Sequence, residues 1–187
     1  YIYNARGEKL AMLSGISRID YRGEKIYEDN VLSYILHPEG LSRKTTSGFL
    51  HEYFLRDHLG SVGTVLQASG YSSLTKVQQA DYYPFGLRFQ GGEIGINKYL
   101  FNGKELQTGL SDISLYDYGS RFYNPALGRW FTQDPQLQFP TPYGYCGNNP
   151  VMFVDPDGEI AILAAIAIAA GISMAVDYGI QVAMNFA

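Results

Sequence analysis

The sequence is poor in cysteine, histidine and charged residues, and each shortage excludes a class of function. Cys146 is the one cysteine among 187 residues, so the sequence offers no pair for an internal disulfide. One thiol and three histidines do not supply the ligand spacing of a metal site. Lys and Arg number 14 against 18 Asp and Glu, and this net charge of −4 disfavours a phosphate-binding surface. We therefore expect no metal, no cofactor and no nucleic-acid partner.

The chain also begins without the features of a secretory leader. Tyr1-Ile2-Tyr3-Asn4 contains neither a methionine nor a basic stretch. We interpret the chain as an internal piece of a longer product whose targeting signal lies upstream. A length of 187 residues is that of one ordinary domain.

Aromatic residues and glycine are abundant, and their alternation favours an all-β fold. The chain has 16 Tyr, 10 Phe and 21 Gly against 17% charged residues, which is typical of aromatic strands separated by tight turns. Up to Gly158, aromatic or β-branched runs alternate with Gly, Asn, Asp or Pro at intervals of roughly ten residues, the pattern of successive β-hairpins. Such hairpins predict a solenoid or spiral wall in which each unit packs against its neighbours.

The composition changes after Gly158. Residues 160–176 form a run of seventeen without a charge, rich in Ala and Ile, and a second apolar stretch follows Asp177 and ends at Ala187. This pattern predicts an apolar helix. We therefore divide the chain into a β-rich region at residues 1–158 and an apolar, helical segment at residues 159–187.

Six sequence blocks, in a fixed order, resemble a known family. They are YIYNARGEKL (1–10), YFLRDHLGSVGTVL (53–66), DYYPFG (81–86), YLFNGKEL (99–106), YDYGSRFYNPALGRWFTQDP (116–135) and YGYCGNNPVMFVDPDG (143–158). Together they resemble the Rhs repeat-associated core domain of Rhs toxins, wall-associated YD-repeat proteins and the C component of Tc toxins. The resemblance covers about 158 of the 187 residues, and the 116–135 block is highly specific.

The resemblance implies a mainly β fold in which Rhs/YD-repeat β-hairpins spiral into the closing plug of a hollow shell. It implies a secreted or cell-surface toxin of interbacterial competition. Its expected partners are its own C-terminal effector region, an upstream YD-repeat shell and components of a secretion system. An alternative is a YD-repeat adhesion or wall-associated protein without an effector. The sequence after Ala187 distinguishes the two, because a toxin domain follows in the first case and an anchoring tail in the second.

Two Asp-Pro pairs form the candidate catalytic constellation. Asp134 and Asp155 each precede a proline, and Arg121 lies thirteen residues before the first of them. The resemblance implies an aspartyl autoprotease that cuts the bond between Glu159 and Ile160. Two neighbouring carboxyl groups suit this chemistry, since one retains a proton as the acid while the other activates water. The arginine would stabilise a carboxylate or the developing oxyanion.

Both Asp-Pro pairs depart from the pattern of self-cleaving relatives, which read Asp-Pro-x-Gly-Leu. The first pair continues as QLQ (136–138), which lacks both the glycine and the leucine at their positions in the pattern. The second continues as DGE (157–159), which keeps the glycine and lacks the leucine. Asp side chains also cap Asx-Pro turns through their own backbone. Two interpretations therefore remain open: a self-cleaving dyad, and a purely structural pair of turn-capping aspartates.

Residues 160–187 suit either a membrane contact or a buried location. The uncharged run is at the short limit for a membrane span, and Gly171 and Ser173 suit close helix packing in lipid. An apolar helix enclosed against the inner wall of a shell has the same composition. The resemblance implies that the effector region begins at this junction, and both locations remain open.

Overall fold

The computed structural model describes residues 1–5, 8–69, 73–89, 97–109 and 111–163, and it confirms the predicted mainly β fold. Within these residues nine strands form one antiparallel sheet, in which each strand pairs with its neighbour in sequence. They are β1 (Ile2–Tyr3), β2 (Lys9–Ser14), β3 (Ser17–Arg22), β4 (Lys25–Glu28), β5 (Val31–His37), β6 (Gly40–Thr45), β7 (Gly48–Arg56), β8 (Val62–Ala68) and β9 (Leu74–Gln79). Such a meander follows from the repeated hairpin pattern.

Two smaller antiparallel sheets follow along the described chain. The first contains β10 (Glu105–Gly109), β11 (Ser111–Asp117), β12 (Phe122–Asn124) and β13 (Arg129–Trp130), and the second pairs β14 (Phe153–Val154) with β15 (Ile162–Leu163). Short 3₁₀ helices lie at Phe101–Gly103 and Tyr145–Asn148. In the four-stranded sheet β11 pairs with β12 and β12 with β13, so three successive strands follow one another through tight turns.

The turn between β4 and β5 shows how the chain reverses so tightly. Asp29 and Asn30 connect the two strands with φ angles of 48° and 66°. Positive φ at both central residues is the requirement of a type I′ turn, whose twist matches that of antiparallel strands. Asp and Asn adopt this backbone conformation more readily than most side chains. The Asp29 carboxylate also accepts the backbone N–H of Arg18 at 2.8 Å, which joins the turn to β3.

One face of the nine-stranded sheet covers an apolar core. Ile26, Leu41 and Val65 are at most 1% exposed, and Tyr99 from the segment after β9 packs against the same cluster. The hydroxyls of Tyr34 and Tyr99 lie 3.0 Å apart, so these two buried polar groups satisfy each other.

A second core, made largely of aromatic rings, packs against the four-stranded sheet. The ring centroids of Tyr118 and Trp130 lie 5.0 Å apart, and those of Tyr123 and Trp130 lie 5.5 Å apart, both in edge-to-face geometry. Aromatic side chains of neighbouring strands therefore pack against one another. Asn102 accepts the hydroxyl protons of Tyr118 and Tyr145, each at 2.7 Å.

A buried ionic cluster joins the first sheet to the second. Lys9 Nζ in β2 lies 3.1 Å from a carboxylate oxygen of Glu105 and 2.9 Å from one of Asp117. The Tyr21 hydroxyl donates to the same Glu105 carboxylate at 3.1 Å. A cation held between two carboxylates and a hydroxyl compensates the cost of burying all of them. The beginning of the chain is therefore attached to the strands that lead to Arg121.

The prediction of a helix beginning at Ile160 is wrong for Ile162–Leu163. Residues Ile162–Leu163 form β15, which pairs with β14 in the register Phe153 to Leu163 and Val154 to Ile162. Here the backbone groups find partners in an adjacent strand, and tertiary pairing overrides the local helix preference of an Ala-rich stretch. The pairing also crosses the predicted boundary between residues 158 and 159.

Residues 164–187 lie outside the described residues, and with them the rest of the predicted apolar helix and its predicted membrane contact. Among the residues that the structure describes, none of the helices has the length and apolar character required to cross a bilayer.

Candidate functional site

The structure brings together the three residues that the sequence singled out. Arg121 Nη2 lies 3.1 Å from Asp155 Oδ2, and Arg121 Nη1 lies 3.6 Å from Asp134 Oδ1. The guanidinium therefore bridges the two carboxylates, although the three residues come from separate elements. Arg121 directly precedes β12, Asp134 follows β13 and Asp155 follows β14. Their exposed fractions are 4%, 7% and 1%, so the cluster is largely withdrawn from bulk water.

Further contacts hold the arginine in position. Its Nε donates to the carbonyl oxygen of Gly158, and its Cζ lies 4.1 Å from the centroid of the Trp130 ring. Within the described part of the chain Arg121 Nη1 makes no hydrogen bond, because 3.6 Å to Asp134 is beyond bonding distance. A buried donor in this state is available to an oxygen on which negative charge develops.

In both Asp-Pro turns the aspartate side chain accepts backbone N–H groups of the residues that follow it. Asp134 accepts the backbone N–H groups of the second and fourth residues after it, at 2.9 and 3.2 Å. Asp155 accepts those of the second, third and fourth residues after it, at 3.3, 2.6 and 3.1 Å. Each aspartate therefore caps its own turn, as the structural interpretation requires. Turn capping does not by itself explain why one arginine is placed between the two aspartates.

The third residue after each aspartate has a left-handed backbone. Leu137 has a φ of 48° and Gly158 has a φ of 82°. A Cβ at Gly158 would lie 3.0 Å from the backbone nitrogen of Arg121, so glycine also permits the close approach of the second turn to the arginine. The Asp-Pro-x-Gly-Leu pattern implied by the resemblance has glycine at this position, which the left-handed conformation favours. Leucine at the first turn accepts a strain that glycine avoids.

We expect Leu137→Gly to stabilise the fold by about 0.5–1 kcal/mol. A left-handed non-glycine residue costs roughly 1–2 kcal/mol, whereas the extra freedom of glycine in the unfolded chain costs roughly 0.5–1 kcal/mol. Leu137 is 69% exposed, so little packing is lost. The measurement is the urea midpoint of unfolding. Leu127→Gly is the matched control, because Leu127 is 71% exposed and has an ordinary φ, and we expect it to destabilise. A lower midpoint for Leu137→Gly would contradict the argument.

Burial and a neighbouring charge make Asp155 the better proton donor of the site. Withdrawal from water raises the pKa of the Asp155 carboxyl to about 6, and the negative charge of Asp157 contributes to the rise. The Arg121 guanidinium and the N–H groups of the turn oppose this effect and limit the rise in pKa. Asp155 is therefore the group that retains a proton into the weakly acidic range.

The bond predicted to be cut lies directly after the second turn. Glu159 donates its backbone N–H to Asp155 at 3.1 Å, and its side chain accepts the hydroxyl of Ser120 at 3.0 Å. Glu159, at the leucine position of the Asp-Pro-x-Gly-Leu pattern, therefore has a polar partner. Ile160 is 46% exposed, whereas Ala161 is 6% exposed and packs in the aromatic core.

Two further residues near this region, Cys146 and His58, make structural contacts. Burial raises the pKa of the Cys146 thiol, and the Asp155 charge raises it further, so the sulfur stays protonated. His58 Nε2 lies 3.1 Å from the carbonyl oxygen of Val151, a structural contact between the first sheet and the segment before β14. Sequence reasoning did not identify Gln138 and Ser120, which contact the segment around the bond.

Comparison with solved structures relates the fold to that of Tc toxin structures. The chain matches part of a TcdB2-TccC3 crystal structure with a TM-score of 0.63 and 22% identity, covering 84% of this chain and 9% of that one. It matches the Photorhabdus luminescens Tc holotoxin pore with a TM-score of 0.59 and 20% identity, covering 88% and 9%. At these identities the similarity concerns the fold.

Sequence comparison gives relatives of two kinds. Salivary gland surface protein 1 of Aedes aegypti is 35% identical over 150 residues, 75% of this chain and 4% of that protein. Toxin subunit YenC1 of Yersinia entomophaga is 33% identical over 107 residues, 54% of this chain and 10% of that subunit. The chain is thus related to Tc toxin subunits, and it spans a tenth or less of the length of these relatives. No protein-family model matches it.

Proposed function

We propose that this chain is the shell-closing core of a secreted Rhs-type toxin and that it cuts itself between Glu159 and Ile160. Its partners are an upstream YD-repeat shell, its own C-terminal effector region, which it encloses, and components of a secretion system. Three findings support this function: the relation to Tc toxin subunits, the Tc toxin fold, and a continuous nine-stranded sheet of successive hairpins. The boundary of the core at residue 158 belongs to the same proposal.

One observation carries the self-cleavage: a buried arginine bridges two aspartates next to the bond. In the proposed reaction Asp134 takes a proton from a water molecule, whose oxygen adds to the carbonyl carbon of Glu159. Asp155 gives its proton to the nitrogen of Ile160, the C–N bond breaks, and Glu159 acquires a carboxyl group while Ile160 acquires an amino group. Arg121 holds Gly158 through Nε and presents Nη1 to the negative charge that develops.

The cleavage rate should fall as pH rises through about 6, because the Asp155 carboxyl then loses the proton that it donates. Asp157→Asn should move this fall to lower pH, since removing a negative charge near Asp155 lowers its pKa. The measurement is the rate at which a fragment beginning at Ile160 appears in intact-mass spectra between pH 4 and 8. It also tests the proposed function, because a wild-type chain that stays folded and uncut throughout this range contradicts self-cleavage.

Glu24→Gln is the control for the change in charge. Glu24 is exposed in the turn between β3 and β4, so its replacement removes one negative charge outside the site. We expect its pH profile to coincide with that of the wild type. If both variants shift the profile equally, the net charge of the chain and not the position of Asp157 determines the shift.

A second candidate function is a surface protein that neither encloses nor releases an effector. The observation in its favour is the similarity to a salivary gland surface protein, whose sequence matches a larger share of this chain than that of the toxin subunit YenC1. Here Asp134 and Asp155 cap their turns and Arg121 neutralises them. A folded, uncut chain, together with an anchoring tail after Ala187 in the gene product, would favour this function.

A further inference from the structure

Gln138 joins the first Asp-Pro turn to the residues that follow the proposed cut. Its amide Nε2 donates to the carbonyl oxygen of Ala161 at 2.8 Å, and its Oε1 accepts the backbone N–H of Ala161 at 2.8 Å. One side chain therefore binds both polar backbone groups of Ala161, as a neighbouring β-strand would. The contact depends on the backbone and not on the side chain of residue 161.

The same residue is linked to the proposed catalytic pair. The backbone N–H of Gln138 donates to Asp134 Oδ2 at 3.2 Å. On the other side of the bond, Arg121 holds the carbonyl oxygen of Gly158 and contacts both aspartates. The segment 158–161 is thus held at each end by a group attached to the dyad, with the peptide bond between residues 159 and 160 in between.

We infer that Gln138 is a positioning residue that sets the register of the chain for self-cleavage. This inference rests on the proposed function and extends it to the segment after the cut. The Gln138 amide and the burial of the Ala161 methyl group in the aromatic core place the Glu159–Ile160 bond, and not a neighbouring bond, at the two carboxylates. Fixing the reacting groups in this way raises the rate, and loss of the register lets other bonds enter the site.

The test compares Gln138→Ala with the wild type by rate and by position of the cut. Loss of two hydrogen bonds near the surface should slow cleavage about tenfold. N-terminal sequencing and intact mass should show fragments beginning at residues other than Ile160, which a loss of stability alone would not produce. Gln136→Ala is the matched control, since its backbone N–H and not its amide bonds to Asp134. Unchanged rate and cut position in Gln138→Ala would overturn the inference.

Gln138→Glu adds a pH readout. The introduced carboxyl binds both backbone groups of Ala161 when protonated, but it has no proton to donate when ionised. The ratio of the variant rate to the wild-type rate should therefore rise as pH falls through the usual range of Glu, about 4.3. Taking the ratio removes the pH dependence that the two chains share, and a ratio that is constant with pH contradicts the role of the amide.

Hydrogen exchange separates the failure of this inference from the failure of the proposed function. In an Asp155→Asn background, where the chain stays intact, the Ala161 amide should exchange about tenfold more slowly with Gln138 present than with Gln138→Ala. Slow exchange together with an uncut wild-type chain means that the contact exists and the proposed function fails. Equal exchange together with a cut wild-type chain means that cleavage occurs and the positioning role fails.

Discussion

Asp134→Asn should leave the chain uncut over times in which the wild type is fully cleaved. The substitution removes the carboxylate that takes the proton of the attacking water, and loss of such a group slows a reaction by about 10²–10⁴-fold. Asparagine keeps one oxygen, which can accept the backbone N–H of Gln136, so we expect the fold to be retained. The measurement is the half-time of cleavage at pH 5 from intact-mass spectra, with thermal unfolding recorded in parallel.

Asp81→Asn is the control for this result, because it makes the same chemical change at an exposed aspartate outside the site. Asp155→Asn should also block cleavage, since it removes the proton donor. A folded Asp134→Asn chain that is cut at the wild-type rate would disprove the dyad.

Arg121→Met should destabilise the fold by about 3–5 kcal/mol, the usual cost of removing one partner from a buried ionic cluster. Methionine approximately preserves the volume of the side chain. It leaves Asp134 and Asp155 without their common cation and Gly158 without a hydrogen-bond donor. The contact with the Trp130 ring also loses its charge. Urea unfolding at pH 7 measures the effect, because this pH lies above the wild-type pKa of Asp155, about 6.

Arg22→Met is the comparison for an exposed arginine. Arg22 lies at the end of β3, and its guanidinium is 4.6 Å from the Tyr27 ring centroid. We expect a change within about 0.5 kcal/mol, which is usual for a surface substitution. Similar losses in both variants would mean that the bridge adds no stability beyond that of an exposed cation. At pH 4 the loss in Arg121→Met should become smaller, because protonation of Asp155, whose pKa is raised to about 6, removes its repulsion with Asp134.

The hairpin architecture could be predicted from the sequence because it follows from local rules. Alternating apolar residues and turn-forming pairs such as Asp29-Asn30 specify strands that pair with their neighbours. The strand Ile162–Leu163 could not be predicted in this way, since its structure depends on Phe153 and Val154, which lie on another strand. An apolar run of Ala and Ile is compatible with either element, and tertiary pairing decides between them.

In the candidate site, too, the sequence indicated individual residues but not the contacts between distant parts of the chain. Resemblance to a family indicated Arg121, Asp134 and Asp155, and their proximity is a result of folding. The contact between Gln138 and Ala161 left no recognisable pattern, because an exposed glutamine is ordinary and its partner is a backbone group 23 residues away. Sequence patterns report side-chain chemistry, whereas this contact depends on where two turns meet in space.

The attachment of Lys9 to Glu105 and Asp117 has a consequence for the order of events during folding. These partners are 96 and 108 residues apart, so the closure of a long loop has to precede their pairing. Asp117 lies in β11, directly before the turn to Arg121. Under the proposed function, we expect docking of the first strands to stabilise the strand that leads to Arg121 and thereby to couple hydrolysis to assembly.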